Sequence, residues 1–364
     1  MREVIPYCPQ CGKKYDFLTS YFYCTKCGHP LDIAYDNVYV DEAIEAIRNG
    51  CRGLHCYASV LPFKPLISLG EAQTPQITQR ISGVNVVFKL ENLNPTGSFK
   101  DRGACLACSH ALMLGFQRVL EDSSGNTGLA VASYSRALGM ESIIVVPEVA
   151  PHWKKRVISR TATVVLEYGD RFDANRLATI LSRRRGDLYY VNHLANPLFI
   201  EAAKTIVYEL IAFSKPNNYP DFIIVPAGSL GLLIGVIKGL KELNVEHYVR
   251  VIAVQNMCVC PLYEAFHGIK VCRRECTSIA DGIMVPNPPR LQQAITLLKE
   301  IGTVVVVDDS EIIRALRLLT DKGIIVEPTS ATGLAALLKM IEEGEINYGD
   351  EVVVVLTGSG LKVL

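Results

Sequence analysis

The chain alternates short, continuous apolar runs with stretches of helical periodicity. Runs rich in Val and Ile occur at Val84–Leu90, Ser142–Val146, Ala162–Leu166, Phe222–Val225, Val249–Val254, Thr303–Val307 and Val352–Leu356. Such runs suit strands buried on both faces of a parallel sheet. Helical patterns lie between them. In the clearest, Glu311–Lys322, apolar Ile312, Ile313, Leu316 and Leu319 share a face, Ser310 is placed as N-cap and Gly323 as the stop. A shorter pattern starts at Asp41. Repeated strand–helix units predict an α/β fold with right-handed crossovers.

The first 35 residues read differently, being rich in Cys, Tyr and Gly. Cys8-x2-Cys11 and Cys24-x2-Cys27, twelve residues apart and followed by Gly12 and Gly28, have the spacing of a zinc ribbon. Four thiolates there would close a structural zinc site, with two disulfides or a degenerate ribbon as the competing reading. Twelve cysteines in all suggest metal ligation or buried thiols before disulfides. Cys105 and Cys108 read as small buried residues. Cys258, Cys260, Cys272 and Cys276 flank one segment, where a pair could bridge.

Composition narrows the class. A chain of 364 residues, 49% hydrophobic and 20% charged, is a folded globular protein of two or three domains. Zero formal net charge gives no reason to expect nucleic acid or an acidic membrane as partner. No apolar run reaches the roughly 18 residues that span a bilayer, and Met1–Pro6 carries two charges, so a cytoplasmic location is expected. The seven His residues show no metal spacing and read as structural.

Candidate chemistry sits at the ends of apolar runs. Glu91–Gly103 follows a strand and precedes a helix; Asn-Pro-Thr-Gly is turn chemistry, and Ser98 with Asp101 has the spacing of a helix cap. Lys100 then falls on the first helical turn, at the carboxyl end of a strand, where ligands gather in open α/β sheets. A helix N-terminus disfavours its cationic form and makes the amine more nucleophilic, as Schiff-base chemistry requires. Ser123-Ser124-Gly125-Asn126-Thr127 also opens a helix, and suits a carboxylate. Gly228-Ser229-Leu230-Gly231-Leu232 is a glycine-rich turn before a helix, able to cradle a phosphate, though it matches neither the dinucleotide fingerprint nor the P-loop. Val352–Leu356 ends at Thr357, a hydroxyl at a sheet edge.

Asn94–Gly103 resembles the lysine signature of the threonine synthase family, within the fold-type II enzymes that use pyridoxal 5′-phosphate (PLP). Ser124–Gly128, Val191–Pro197 with Ile200-Glu201 and Lys204-Thr205, Glu327–Ala331 and Leu356–Lys362 follow in the family's order. The resemblance implies two parallel-sheet, three-layer domains, residues 36–93 with 205–364 and residues 94–204, plus a zinc-ribbon-like module over 1–35. It implies PLP as a Schiff base on Lys100, with Asn126 at the ring's phenolic oxygen, Gly228–Leu232 at its phosphate and Thr357 at its pyridine nitrogen. Ser123, Ser124 and Thr127 would hold the carboxylate of a small amino-acid substrate. The implied reaction converts O-phospho-L-homoserine and water to L-threonine and phosphate, in a homodimer. Other β-eliminations or β-replacements on the same scaffold, by a threonine/serine dehydratase or a cysteine- or cysteate-synthase-like enzyme, stay open, as does a catalytically silent PLP-binding paralogue. The chain departs from the family pattern at His193, Phe199, Ser229, Leu230, Leu232, Ser359 and Pro151–Lys155, several of them where the substrate's phosphate would be recognised.

Overall fold

The computed structural model describes residues 3–36, 38–150, 152–213, 219–273 and 276–362. The chain opens with strands β1 (Val4–Tyr7) and β2 (Asp32–Tyr35) and helix α1 (Val40–Arg48). Strands β3 (Gln76–Ile81) and β4 (Val84–Lys89) follow, then α2 (Lys100–Met113), β5 (Arg118–Glu121), α3 (Asn126–Ala137), β6 (Glu141–Val146), α4 (His152–Ile158), β7 (Val164–Glu167), α5 (Arg171–Arg184) and β8 (Tyr189–Tyr190). Next come α6 (Leu198–Ala203), α7 (Thr205–Phe213), β9 (Phe222–Pro226), α8 (Gly231–Glu242), β10 (Arg250–Asn256) and α9 (Pro261–His267). The last elements are α10 (Leu291–Ile301), β11 (Gly302–Val307), α11 (Asp309–Asp321), α12 (Pro328–Glu342) and β12 (Glu351–Val355). None of the helices among the described residues is long and apolar enough to cross a membrane.

The chain divides into two compact units, Met1–Ala72 with Asn94–Ala202, and Gln73–Leu93 with Ala203–Lys362. Residues 36–72 thus belong with the segment from Asn94, whereas the sequence analysis grouped them with 205–364.

The first unit carries a four-stranded parallel sheet, ordered β7-β6-β5-β8. Helix α2 is buried from Asp101 to Ala111 with no exposed face, which explains its run of Gly, Ala and Cys in place of an amphipathic stripe. Helix α5 packs Ala174 and Ala178 against Leu120, Val145, Leu188 and Tyr190.

The second unit carries a six-stranded sheet, ordered β11-β10-β9-β12-β4-β3. Five strands run parallel; β3 is an antiparallel edge, so this sheet is mixed rather than wholly parallel. β3 has no apolar run that would announce it, since Gln76, Thr78, Gln79 and Arg80 are polar. Of the four interior strands, β9, β10 and β12 are buried almost throughout, as their Val and Ile content requires. Helix α12 lies on them closely enough that a Cβ on Gly333 would come within 2.9 Å of Val354.

Helix α11 lies where its periodicity placed it, but its N-cap is Asp308, not Ser310. Asp308 accepts from the Glu311 N–H and Glu311 reaches back to the Asp308 N–H, forming a capping box, while Ser310 donates to the Asp308 carboxylate.

Candidate active site

Lys100 is the first residue of α2, as its sequence context implies. The turn before it closes through a hydrogen bond from the Gly97 N–H to the Asn94 carbonyl, 2.7 Å, and needs Gly97 at φ +78°. The expected Ser98–Asp101 cap does not form. Phe99 occupies the N-cap position without a capping side chain, and the Asp101 carboxylate instead accepts from the Thr96 N–H. Ser98 is buried, and neither its Oγ nor Thr96 Oγ1 has a hydrogen-bond partner among the described residues. The loop carrying the lysine therefore holds unmet polar capacity.

Two aromatic rings flank the amine, with Lys100 Nζ 4.7 Å from the Phe99 centroid and 5.9 Å from that of Phe199. Phe199 presses on α2 at Gly103. An apolar ring thus stands at one of the positions where the chain departs from the resembled pattern.

The carboxylate loop follows β5. Ser123 and Thr127 are buried, Ser124 and Asn126 half-buried, and Asn126 begins α3. Ser123 Oγ accepts from the Gly125 N–H at 3.3 Å. The N–H groups of Ser124, Thr127 and Gly128 find no acceptor among the described residues, so they remain available to an anion at the positive end of α3.

Sequence reasoning missed an ionisable pair beside this loop. Glu121, the last residue of β5, is fully buried and hydrogen-bonds His193 Nδ1. Burial pushes the Glu121 carboxyl up to about 8 and His193 down to about 3. His193 is therefore no isolated core histidine. Asp122, next in the chain, accepts from Tyr190 at 2.5 Å and Asn175 at 3.0 Å. A charged residue ending a strand reads as a turn; only its burial gives it away.

The second unit presents its own anion cradle. Gly228–Leu232 joins β9 to α8, and its backbone N–H groups have no acceptor among the described residues. Leu230 closes the turn at φ +70°, and a Cβ on Gly228 would lie 2.8 Å from Ile283 Cα. These N–H groups and the α8 dipole fit a phosphate. Thr357, after β12, is buried with its Oγ1 3.1 Å from Ser330 Oγ. Ser330 also accepts from the Gly358 N–H at 2.6 Å, which fixes the chain end around Thr357. The sequence offered Ser330 only within a motif, without that role.

The cysteine module folds as two matching knuckles. The Gly12 and Gly28 N–H groups return to the Cys8 and Cys24 carbonyls, and both glycines adopt φ +72°. The sulfurs of Cys8, Cys11, Cys24 and Cys27 all lie within 4.8 Å of one another, and two pairs are 3.4 and 3.5 Å apart. A tetrahedron of roughly 2.3 Å Zn–S bonds has edges of about 3.8 Å, so the four sulfurs fit zinc. Elsewhere Cys51 and Cys56 depart from the expected thiols, and the segment from Cys258 to Cys276, where one pair could bridge, holds two bridges. Cys51–Cys56, Cys258–Cys276 and Cys260–Cys272 are disulfides, because the fold brings those partners within 6 Å at Cα. Cys105 and Cys108 are buried free thiols, as read.

Residues 67–358 match the family described as "Pyridoxal-phosphate dependent enzyme". The chain belongs to that family. Its cofactor is PLP, and the lysine at the start of α2, the unpaired N–H groups of Gly228–Leu232 and the neutral Thr357 are residue types that fit it. The chain is 32% identical to a threonine synthase of Methanocaldococcus jannaschii, over 98% of this chain and 92% of that protein. It is 31% identical to a threonine synthase of Methanosarcina acetivorans, over 98% and 91%. Among solved structures, an L-serine ammonia-lyase from Rhizomucor miehei aligns with a TM-score of 0.69 at 29% identity, over 79% of this chain and 94% of that one.

Proposed function

We propose that the chain is a threonine synthase, converting O-phospho-L-homoserine and water to L-threonine and phosphate. The observation that carries the reading is Lys100 at the first turn of α2 in a chain similar to threonine synthases over 98% of its length. PLP supplies an electron sink for carbanionic character at the substrate's carbons. The chain's residues do the rest. Lys100 Nζ binds the cofactor and moves protons at the substrate's carbons, helped by its placement at a helix N-terminus. Gly228–Leu232 hold the cofactor's phosphate, Asn126 its phenolic oxygen, and Thr357, seated by Ser330, its pyridine nitrogen. A neutral hydroxyl at Thr357 would offer that nitrogen no acidic partner to keep it protonated. Ser123, Ser124 and Thr127 orient the substrate carboxylate, so binding energy is spent on geometry. Cys8, Cys11, Cys24 and Cys27 hold a structural zinc ion, and the working form is a cytoplasmic homodimer.

One observation favours a second reading. The Phe199 ring beside Lys100 offers no charge to a substrate phosphate, which suits elimination from an unphosphorylated hydroxy amino acid, the activity of a threonine or serine dehydratase. Parallel assays separate the two. Phosphate and threonine formed in equal amounts from O-phospho-L-homoserine support the synthase; ketoacid from threonine or serine without phosphate release supports the dehydratase.

A further inference from the structure

The first unit buries an ionisable pair that the roles above leave unused. Glu121 is fully buried at the end of β5, and its Oε1 is hydrogen-bonded to Nδ1 of His193, which is 9% exposed. Two atoms remain over. Glu121 Oε2 is buried without a hydrogen-bond partner, and His193 Nε2 makes no hydrogen bond, among the described residues. A buried carboxyl oxygen left without a partner is the exception in native cores and calls for a role.

One ring, Phe199, lies beside both the pair's histidine and the lysine. The His193 ring meets Phe199 edge-on at 6.2 Å, and Phe199 lies 5.9 Å from Lys100 Nζ. Lys100 on α2 and Arg171 on α5 act on both members, their charges favouring ionised Glu121 and neutral His193. Asp122 is held up by burial and by Glu121, and is bonded to Tyr190 and Asn175; the buried Cys108 thiol is also held up by burial and then by Glu121. Burial outweighs the two cations, so at neutral pH the pair is uncharged. One proton lies between Glu121 and Nδ1, and one is on Nε2, pointing away from the carboxyl.

We propose that His193 is an acid–base residue of this site and that Glu121 is its positioning partner and proton reserve. The proposal rests on the synthase reading. Breaking the Cγ–O bond leaves the electron pair on the phosphate oxygen. That oxygen takes the Nε2 proton and leaves as hydrogen phosphate. The Glu121 proton crosses to Nδ1, so that Glu121 ends as a carboxylate under the charges of Lys100 and Arg171. Water adding at Cβ sheds one proton, which returns through Nε2 and restores Glu121. One proton leaves and one comes back.

The test uses holoenzyme with Glu121→Gln, Glu121→Asp and His193→Gln, on O-phospho-L-homoserine and on O-acetyl-L-homoserine, whose departing acetate needs no proton. His193→Gln should lower kcat about 10²-fold on the phosphate ester and less than about threefold on the acetyl ester. In the wild type, kcat on the phosphate ester should fall as pH rises through about 8; Glu121→Gln should remove that limb and Glu121→Asp retain it. A readout independent of turnover is the infrared carboxylic-acid band, expected at pH 7 in the wild type and lost in Glu121→Gln. Equal losses on both esters, or no such band at pH 7, overturn the proposal. If the wild type releases no phosphate from O-phospho-L-homoserine, the synthase reading fails, and the infrared band still decides whether the pair holds its proton.

Discussion

Gly103 lies directly against the ring of Phe199, so that a Cβ there would come within 2.1 Å of ring carbon Cδ1. The glycine is required by space, since its backbone is ordinary helix. The contact joins the lysine helix to a ring 5.9 Å from Lys100 Nζ. Gly103→Ala should therefore destabilise the protein by about 1–3 kcal/mol, by overpacking. Adding Phe199→Leu should recover part of that loss, measured by urea denaturation as a double-mutant cycle. Strictly additive changes would contradict the contact.

His110 predicts an acid-side slope. It is buried on α2, with Nδ1 2.8 Å from the Tyr189 hydroxyl and Nε2 3.1 Å from the Phe17 carbonyl. Burial pushes it down to about 4, against the Phe17 carbonyl, which raises it. The folded value is below the unfolded one of about 6.5. As pH falls below about 6.5 the unfolded chain takes up a proton that the folded chain refuses. Stability should then fall with pH and level off near pH 4, by at most on the order of 3 kcal/mol. His110→Gln should flatten this slope in urea titrations between pH 4 and 7.

Gly228 predicts an effect on cofactor affinity. An alanine there would place its Cβ 2.8 Å from Ile283 Cα, a backbone atom that cannot swing aside. The Gly228–Leu232 turn would have to shift, misaligning its N–H groups. PLP affinity should drop by on the order of tenfold, about 1.4 kcal/mol, in equilibrium titration of the apoprotein. Unchanged affinity would remove this turn from the phosphate site.

The zinc assignment is tested by metal analysis. One zinc per chain is expected, with Cys11→Ser losing it. Phe17 and Phe22 of the same module pack on His110 and Tyr189, so losing the metal should lower Tm. A metal-free protein of unchanged Tm would contradict the assignment.

Much of this fold was legible in the sequence, because strands buried on both faces must be continuous in Val and Ile. β9, β10, β11 and β12 announce themselves in this way. β3 did not, since an antiparallel edge strand keeps its polar residues, and neither did the two-residue β8. The cysteine spacing located the ribbon because ligand and turn are local. Bridging among Cys258, Cys260, Cys272 and Cys276 was foreseeable from their spacing, but the choice of partners, and the short Cys51–Cys56 bridge, follow from the backbone geometry. The same limit applies to the site. Lys100, Asn126 and Gly228–Leu232 each open a helix after a turn, a pattern written in consecutive residues. Glu121 and His193 are 72 residues apart, and no local pattern links them. Ser330 and Thr357 likewise meet only in the folded chain.

If Lys100 carries the cofactor, chemical reduction should fix PLP to it covalently. The PLP-loaded protein is reduced with borohydride, digested and mapped by mass spectrometry. A phosphopyridoxyl group on the peptide containing Lys100, absent from Lys100→Ala treated alike, is the predicted result. The group on another lysine, or an unchanged yield in Lys100→Ala, would contradict it.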